Sequence, residues 1–295
     1  MSGGGEALRK RILGLNGVFA VNKPAGESSA RVVERVKSAL LGLIKGDRHL
    51  PRREFASLQR SLKVGHGGTL DPLATGVLVI GLGGGCKRLH GFLKEHRKGY
   101  RAVGRFGQAY DTYDCTGHAT AAQPFEHIDE AQIRQALCDH FTGTILQTPP
   151  PFSALKINGE RAYAIARKRQ QAAATRAEAK KSRDEVAGEA DAAAQEKDDD
   201  DDEMASEAEM PKLAPRPILI ERIELRRWES PEFEIDMACG SGTYVRSIIH
   251  DLGTLLHSAA AMFALVRTQQ GPFVLADCLD VADLSNLDRI EGALR

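Results

Sequence analysis

No apolar run in the chain approaches the ~20 residues that a bilayer-spanning helix needs, so such a helix is excluded. The stretch from Met1 to Arg11 is short and glycine-rich, with no apolar segment of the kind that marks a secretory signal. Aromatic residues supply only 5% of the 295 positions, and there is a single tryptophan. Cysteine is sparse as well. Cys86, Cys115, Cys138, Cys239 and Cys278 are far apart and form no C-x-x-C pair. An odd, scattered set reads as free thiols in a reducing compartment rather than a disulfide frame or a zinc site. None of the nine histidines sits in an H-E-x-x-H motif, so no structural metal is expected.

Net charge is missing too, with 40 basic against 40 acidic residues. That balance conceals a division. Between Asp184 and Glu209 there are thirteen acids and one base, Lys197, for a net charge of −12, which leaves +12 on the rest of the chain. A basic body with an acidic segment set apart points to a polyanionic partner, with nucleic acid first among candidates. The segment has no apolar face to bury and is expected to be disordered.

What remains reads as a mixture of strands and helices. Gly17–Val21 is a short apolar strand that ends at the turn Lys23-Pro24-Ala25-Gly26. Ser28 or Ser29 is placed to cap a helix carrying Val32, Val33, Val36 and Leu40. Gly42–Leu62 is polar and basic and is expected to be a surface excursion. Gly76–Leu82 and Gly99–Phe106 read as further strands. Asp129 with Gln132 forms a capping-box signature ahead of Ile133, Leu137 and Phe141. Strands are also expected at Ile218–Ile220 and Phe233–Met237, and a helix over Val245–Leu256. The elements interleave irregularly, which predicts an α+β fold rather than a regular βαβ series.

Three segments could carry chemistry. In Lys63-Val64-Gly65-His66-Gly67-Gly68-Thr69-Leu70-Asp71-Pro72, glycines permit a tight turn and a close ligand approach, and the loop could present the Asp71 carboxylate to a cleft. The plainer reading makes Asp71 a helix cap ahead of Pro72, and spacing alone leaves both open. Gly81-Leu82-Gly83-Gly84-Gly85-Cys86-Lys87-Arg88 lacks the Gly-Lys-Ser/Thr ending of a phosphate-binding loop and reads as a structural turn. Gly240-Ser241-Gly242-Thr243-Tyr244-Val245-Arg246 is a glycine-rich approach to a helix start.

Taken with Asn22–Gly26, Lys98-Gly99-Tyr100, Asp111–Gly117, Pro150–Lys156 and Arg216-Pro217, these segments resemble, in order, the TruB family of RNA pseudouridine synthases. The resemblance runs from Gly17 to Phe273. It implies the pseudouridine synthase fold: α+β, a largely antiparallel central sheet flanked by helices, with an RNA-gripping thumb insertion. It implies a flexible N-terminus over 1–16 and a catalytic domain over 17–295, interrupted by the acidic insertion 168–212. Too few residues follow Phe273 for the RNA-binding PUA domain of bacterial members.

The same resemblance implies that Asp71 is the catalytic carboxylate, with Arg246 as its partner. Tyr100 would stack on the target base and act in proton abstraction. His66, Tyr244, Lys23, Gly67, Gly68, Asp111 and Lys156 would bind or support the substrate. His66 would occupy the space of the flipped base, and Lys23 has a structural role at least as strong a claim. Within that resemblance, Phe152 stands where a tyrosine is common in the family, and Gly67-Gly68-Thr69-Leu70-Asp71 looks like the loop of a eukaryote-type member. The reaction implied is isomerisation of the TΨC-loop uridine of tRNA (Ψ55), with no cofactor and no metal. The implied partner is the T-arm stem-loop, with mRNA stem-loops as further substrates. The implied setting is a monomer inside the cell, in nucleus, cytoplasm or mitochondrion. An RNA-binding or tRNA-folding module with little catalysis is the alternative from another class.

Overall fold

A computed structural model describes residues 3–45, 51–153, 155–157, 159–162, 164–166, 168, 171, 175 and 213–295. The whole acidic segment Asp184–Glu209, and with it most of the expected 168–212 insertion, lies outside the described residues. The chain divides into two compact units, Met1–Gln147 with Pro217–Arg295, and Thr148–Arg216. The smaller unit thus begins at Thr148, well before residue 168.

In the larger unit, strand β1 (Gly17–Lys23) pairs antiparallel with β3 (Thr75–Leu82), and the three-residue β2 (Val64–His66) flanks β3. Both strands are apolar on two faces because both faces are covered. Phe19, Val21, Leu78 and Ile80 enter a cluster with Val32, Val36 and Leu40 of helix α2 (Ser29–Lys45). Their neighbours Val18, Ala20, Val77 and Val79 pack on the other side with Leu89, Phe92 and Phe273. Double burial accounts for the unbroken hydrophobic runs that mark these strands. Ser28 caps α2 by accepting from the Arg31 N–H at 3.1 Å, and Ser29 is buried and turned elsewhere.

Two expectations are corrected here. Residues 1–16, read as a flexible lead-in, contain helix α1 (Gly3–Leu13), and Ile12 and Leu15 are buried in the same cluster as Phe19. Arg11 also donates from Nε to Glu291 at 2.7 Å. Within Gly42–Leu62, read as a surface excursion, α2 runs on to Lys45 and helix α3 spans Arg52–Ser61. Its Leu58 is buried and Phe55 packs against the same cluster. In both cases a few apolar residues at helical spacing are diluted by glycine or charge, which hides the amphipathic face.

After a 3-10 turn over Gly83–Arg88 and helix α4 (Leu89–Lys94), strand β4 (Lys98–Phe106) enters the sheet. A short β5–β6 hairpin (Gln108–Tyr110, Ala119–Ala122) precedes helix α5 (Glu130–His140). The capping box at Asp129 and Gln132 is present as the sequence predicts. Strand β7 (Gly143–Gln147) closes this half. In the smaller unit, Lys156–Ile157 (β8) and Glu160–Arg161 (β9) pair as a short hairpin. The chain re-enters through β10 (Arg216–Glu229), β11 (Glu232–Cys239), helix α6 (Val245–Leu255), β12 (Ala260–Gln270), β13 (Phe273–Val274) and helix α7 (Leu287–Ala293).

The main sheet has the order β1-β3-β12-β4-β11-β10-β7 among the described residues. The contacts β1–β3, β4–β12, β4–β11 and β10–β11 are antiparallel, whereas β3–β12 is parallel, with Val266 opposite Thr75. Helices α5 and α6 cover one face of its centre through Ile133, Leu137, Ile248, Ile249 and Leu252, packed on Tyr100, Phe106, Ile235 and Met262. No helix among the described residues is long and apolar enough to cross a membrane.

Candidate active site

The loop from Gly67 to Ala74, between β2 and β3, is held at almost every residue. The Gly67 N–H donates to the Val79 carbonyl at 2.8 Å. Ser29 Oγ accepts from the Leu70 N–H at 2.8 Å and donates to the Leu70 carbonyl at 3.2 Å. The Pro72 carbonyl accepts from the Gly26 N–H at 2.8 Å and from Lys23 Nζ at 3.2 Å. Asp71 lies between these anchors, and the Ala74 N–H donates to its carbonyl at 3.0 Å. No helix follows Pro72, so Asp71 is not a helix cap. Its side chain is turned to Arg246.

Arg246 lies in the first turn of α6. Its Nε donates to Asp71 Oδ2 at 2.8 Å and its Nη2 to Asp71 Oδ1 at 3.2 Å, a two-pronged pairing. Nη1 donates to the Thr112 carbonyl at 2.8 Å. Asp114 Oδ2 is 3.7 Å from Nε. The Arg246 side chain is 6% exposed while that of Asp71 is 33% exposed, so the cation is sealed in and the carboxylate keeps an open side. A fork of this kind fixes both the plane and the position of the carboxylate.

Lys23 is fully buried, and its ammonium donates to the carbonyls of Pro24 (2.8 Å), Glu27 (2.6 Å) and Pro72 (3.2 Å). Three acceptors match the three hydrogens of an ammonium. Lys23, expected among the substrate-binding residues, is therefore a brace for the backbone just past Asp71. Burial lowers its pKa from 10.5 to about 8, against the pull of the Glu27 and Asp71 charges.

Tyr100 is buried on β4, in one cluster with Leu70 and Ala74 of the loop. Burial raises its phenol pKa, opposed by the cation of Arg267, which lies opposite it on the neighbouring strand. His66 is half-buried, and its Nδ1 accepts from the Gly68 N–H at 3.4 Å. The Tyr244 backbone, at the N-cap of α6, is gripped by one side chain. Gln147 accepts from its N–H at 2.8 Å and donates to its carbonyl at 3.0 Å. Asp111 accepts from the His118 N–H at 2.9 Å and faces the His118 ring at 3.5 Å. It shapes the turn that delivers the Thr112 carbonyl to Arg246. Lys156 lies on β8 in the smaller unit.

Several residues of this arrangement carry no sequence signal. Arg267 and Gln270, on β12, are both buried. Arg267 donates to the carbonyls of Val77 (2.6 Å) and Gly68 (3.2 Å), and Gln270 to those of Gly67 (2.5 Å) and Phe92 (3.2 Å). Positions three apart on a regular strand face opposite ways, but a register shift between Arg267 and Gln269 turns both toward the loop. Gly68 has φ +147°, and a Cβ there would lie 3.0 Å from Gln270 Nε2. Gln147 was likewise indistinguishable from an ordinary polar residue in the sequence. No group of three or more His, Cys, Asp or Glu among the described residues could hold a metal ion.

A family model described as "TruB family pseudouridylate synthase (N terminal domain)" matches residues 53–186. Pseudouridylate synthase TRUB1 of Mus musculus is 35% identical over 289 residues, covering 98% of this chain and 72% of its own length. The tRNA pseudouridine synthase B of Bordetella avium is 35% identical over 288 residues, covering 97% of this chain and 93% of its own. Among solved structures, a chain of a Cbf5-Nop10-Gar1 complex superposes with a TM-score of 0.60 at 22% identity, over 98% of this chain and 61% of that one. That likeness establishes the fold. Identity spread over nearly all of this chain and most of each relative establishes more: the chain belongs to the TruB family of pseudouridylate synthases.

Proposed function

We propose that this protein is a tRNA pseudouridine synthase that isomerises the uridine of the TΨC loop (Ψ55). The observation that carries the reading is a single carboxylate, Asp71, oriented by both prongs of Arg246 at the turn of a braced glycine loop and open on one side. Relatives named tRNA pseudouridine synthase B support the choice of RNA. The reaction breaks the C1′–N1 bond of uridine and joins C1′ to C5. C5 gives up a proton and N1 takes one, so nothing is oxidised and no group is transferred from outside.

Asp71 begins the exchange, either by forming a bond to the uridine or by taking a proton from the sugar so that the base departs. Both routes use an anion whose two oxygens are fixed in space, and the Arg246 fork supports that. The uridine must leave its stack, which costs a few kcal/mol. Stacking on the Tyr100 ring returns roughly 1–3 kcal/mol. Tyr100 then takes the C5 proton. Gly67 and Gly68 give the backbone room near the flipped nucleotide, His66 fills the place it leaves, and Tyr244 lines the pocket. Lys23 and Asp111 hold the two loops that meet at Arg246. The smaller unit, with Lys156, grips the RNA.

The test is incubation with an unmodified tRNA transcript and mapping of pseudouridine at nucleotide resolution. The wild-type protein is expected to modify the TΨC-loop uridine, and Asp71→Asn to bind the transcript without modifying it. Full activity in Asp71→Asn, with its mass confirmed, would remove Asp71 from the chemistry. Tight binding with no pseudouridine from the wild type would leave only an RNA-binding module.

A further inference from the structure

Arg267 is among the largest fully buried side chains of the protein, yet among the described residues it forms no ion pair with a carboxylate. Burying a guanidinium without a counter-charge is costly, and a role confined to packing would suit leucine or methionine better. Its donors instead reach two carbonyls of the candidate site, Val77 at 2.6 Å and Gly68 at 3.2 Å. Strand pairing also sets it beside Tyr100. Arg267 is opposite Tyr100 on β4 and opposite Gly76 on β3, so it stands between the two strands that flank the Asp71 loop.

We propose that Arg267 is a positioning residue for the isomerisation, holding the Gly68 carbonyl from the strand position opposite Tyr100 so that the ring and the Asp71 loop keep a fixed relation. The proposal rests on the isomerase reading above. A cation on the opposite strand position also favours the phenolate, the form able to take a proton from C5. Gln270 extends the frame by holding the adjacent Gly67 carbonyl from the same strand. Burial alone would push the Tyr100 phenol away from that task, and Arg267 is the group that opposes it.

The deciding measurement is a double-mutant cycle on single-turnover rates with unmodified tRNA transcript. Arg267→Lys keeps the charge but not the fork. It is expected to slow the chemical step while leaving the transcript Kd within about twofold, and to lose little more when Tyr100→Phe is added. The coupling should be about tenfold, as for contacting residues. Multiplicative losses, or an undiminished rate in folded Arg267→Lys, would overturn the proposal. A second readout needs no activity: the ultraviolet titration of Tyr100, taken as wild type minus Tyr100→Phe. In Arg267→Met, with its fold checked by circular dichroism, Tyr100 should ionise at higher pH than in wild type, and an unmoved titration would also overturn it. If the wild type makes no pseudouridine, the functional reading fails, and the titration still judges the Arg267–Tyr100 contact.

Discussion

Arg246 meets Asp71 across 175 residues of chain, with hydrogen bonds of 2.8 and 3.2 Å from two of its nitrogens. The rest of the guanidinium is committed to the Thr112 carbonyl, with Asp114 nearby. Arg246→Leu would leave the Asp71 and Asp114 carboxylates without their shared cation. Removing one partner of a buried pair costs about 3–5 kcal/mol, and the open side of Asp71 places this case at the lower end. Urea unfolding should register a loss of about 3 kcal/mol. Arg246→Lys should keep more of that stability and still lose turnover, because one ammonium cannot orient both carboxylate oxygens. Equal turnover in Arg246→Lys and wild type would show that orientation is not what Arg246 supplies.

Tyr100→Ala and Tyr100→Phe should separate the ring from the hydroxyl. Alanine removes a base-stacking surface worth roughly 1–3 kcal/mol and opens a cavity in the cluster with Leu70 and Ala74. Phenylalanine keeps the ring, so RNA affinity should be preserved while the single-turnover rate drops. Unchanged rates in both variants would remove Tyr100 from the base.

Asp251 is set for a pH-dependent penalty. Burial raises its pKa from 3.8 to about 6. The folded protein therefore holds this proton more tightly than the unfolded chain does. Its favourable contribution is complete below pH 3.8 and disappears as the pH rises through about 6. Asp251→Asn cannot ionise, so it should gain stability relative to wild type between those pH values and keep a constant advantage above them. Thermal unfolding at pH 4 and pH 7.5 gives the answer, and an advantage equal at both would refute the shift.

Two glycine substitutions should move stability in opposite directions. Gly76 has φ +99° and its Cβ would sit 2.3 Å from the Arg267 carbonyl oxygen, at the parallel contact between β3 and β12. Gly76→Ala should cost more than about 3 kcal/mol, since backbone strain and a backbone clash coincide. Gly42 lies in α2 with open space around it. Gly42→Ala should add roughly 0.5–1 kcal/mol, the helix-propensity difference between the two residues. Denaturant midpoints of the two variants on either side of wild type would bear this out, and midpoints on the same side would not.

Sequence alone was enough for the elements whose cause is local. The two-sided burial of β1 and β3 leaves continuous apolar runs, the Asp129–Gln132 capping box needs four consecutive residues, and the face of α6 follows from Ile248, Ile249 and Leu252 at helical spacing. The Asp71 loop and the start of α6 were legible for the same reason, each being a contiguous motif. Helices α1 and α3 were hidden because few apolar residues declare their buried faces. Tertiary structure alone decided which polar side chains brace the Asp71 loop and the start of α6. Lys23, Ser29, Gln147, Arg267 and Gln270 all act on backbone carbonyls and N–H groups, and every residue offers those, so the partner leaves no mark in the sequence. The turn of Arg267 and Gln270 toward one side depends on a shift in strand register, a property of how β12 lies against β4 rather than of either residue.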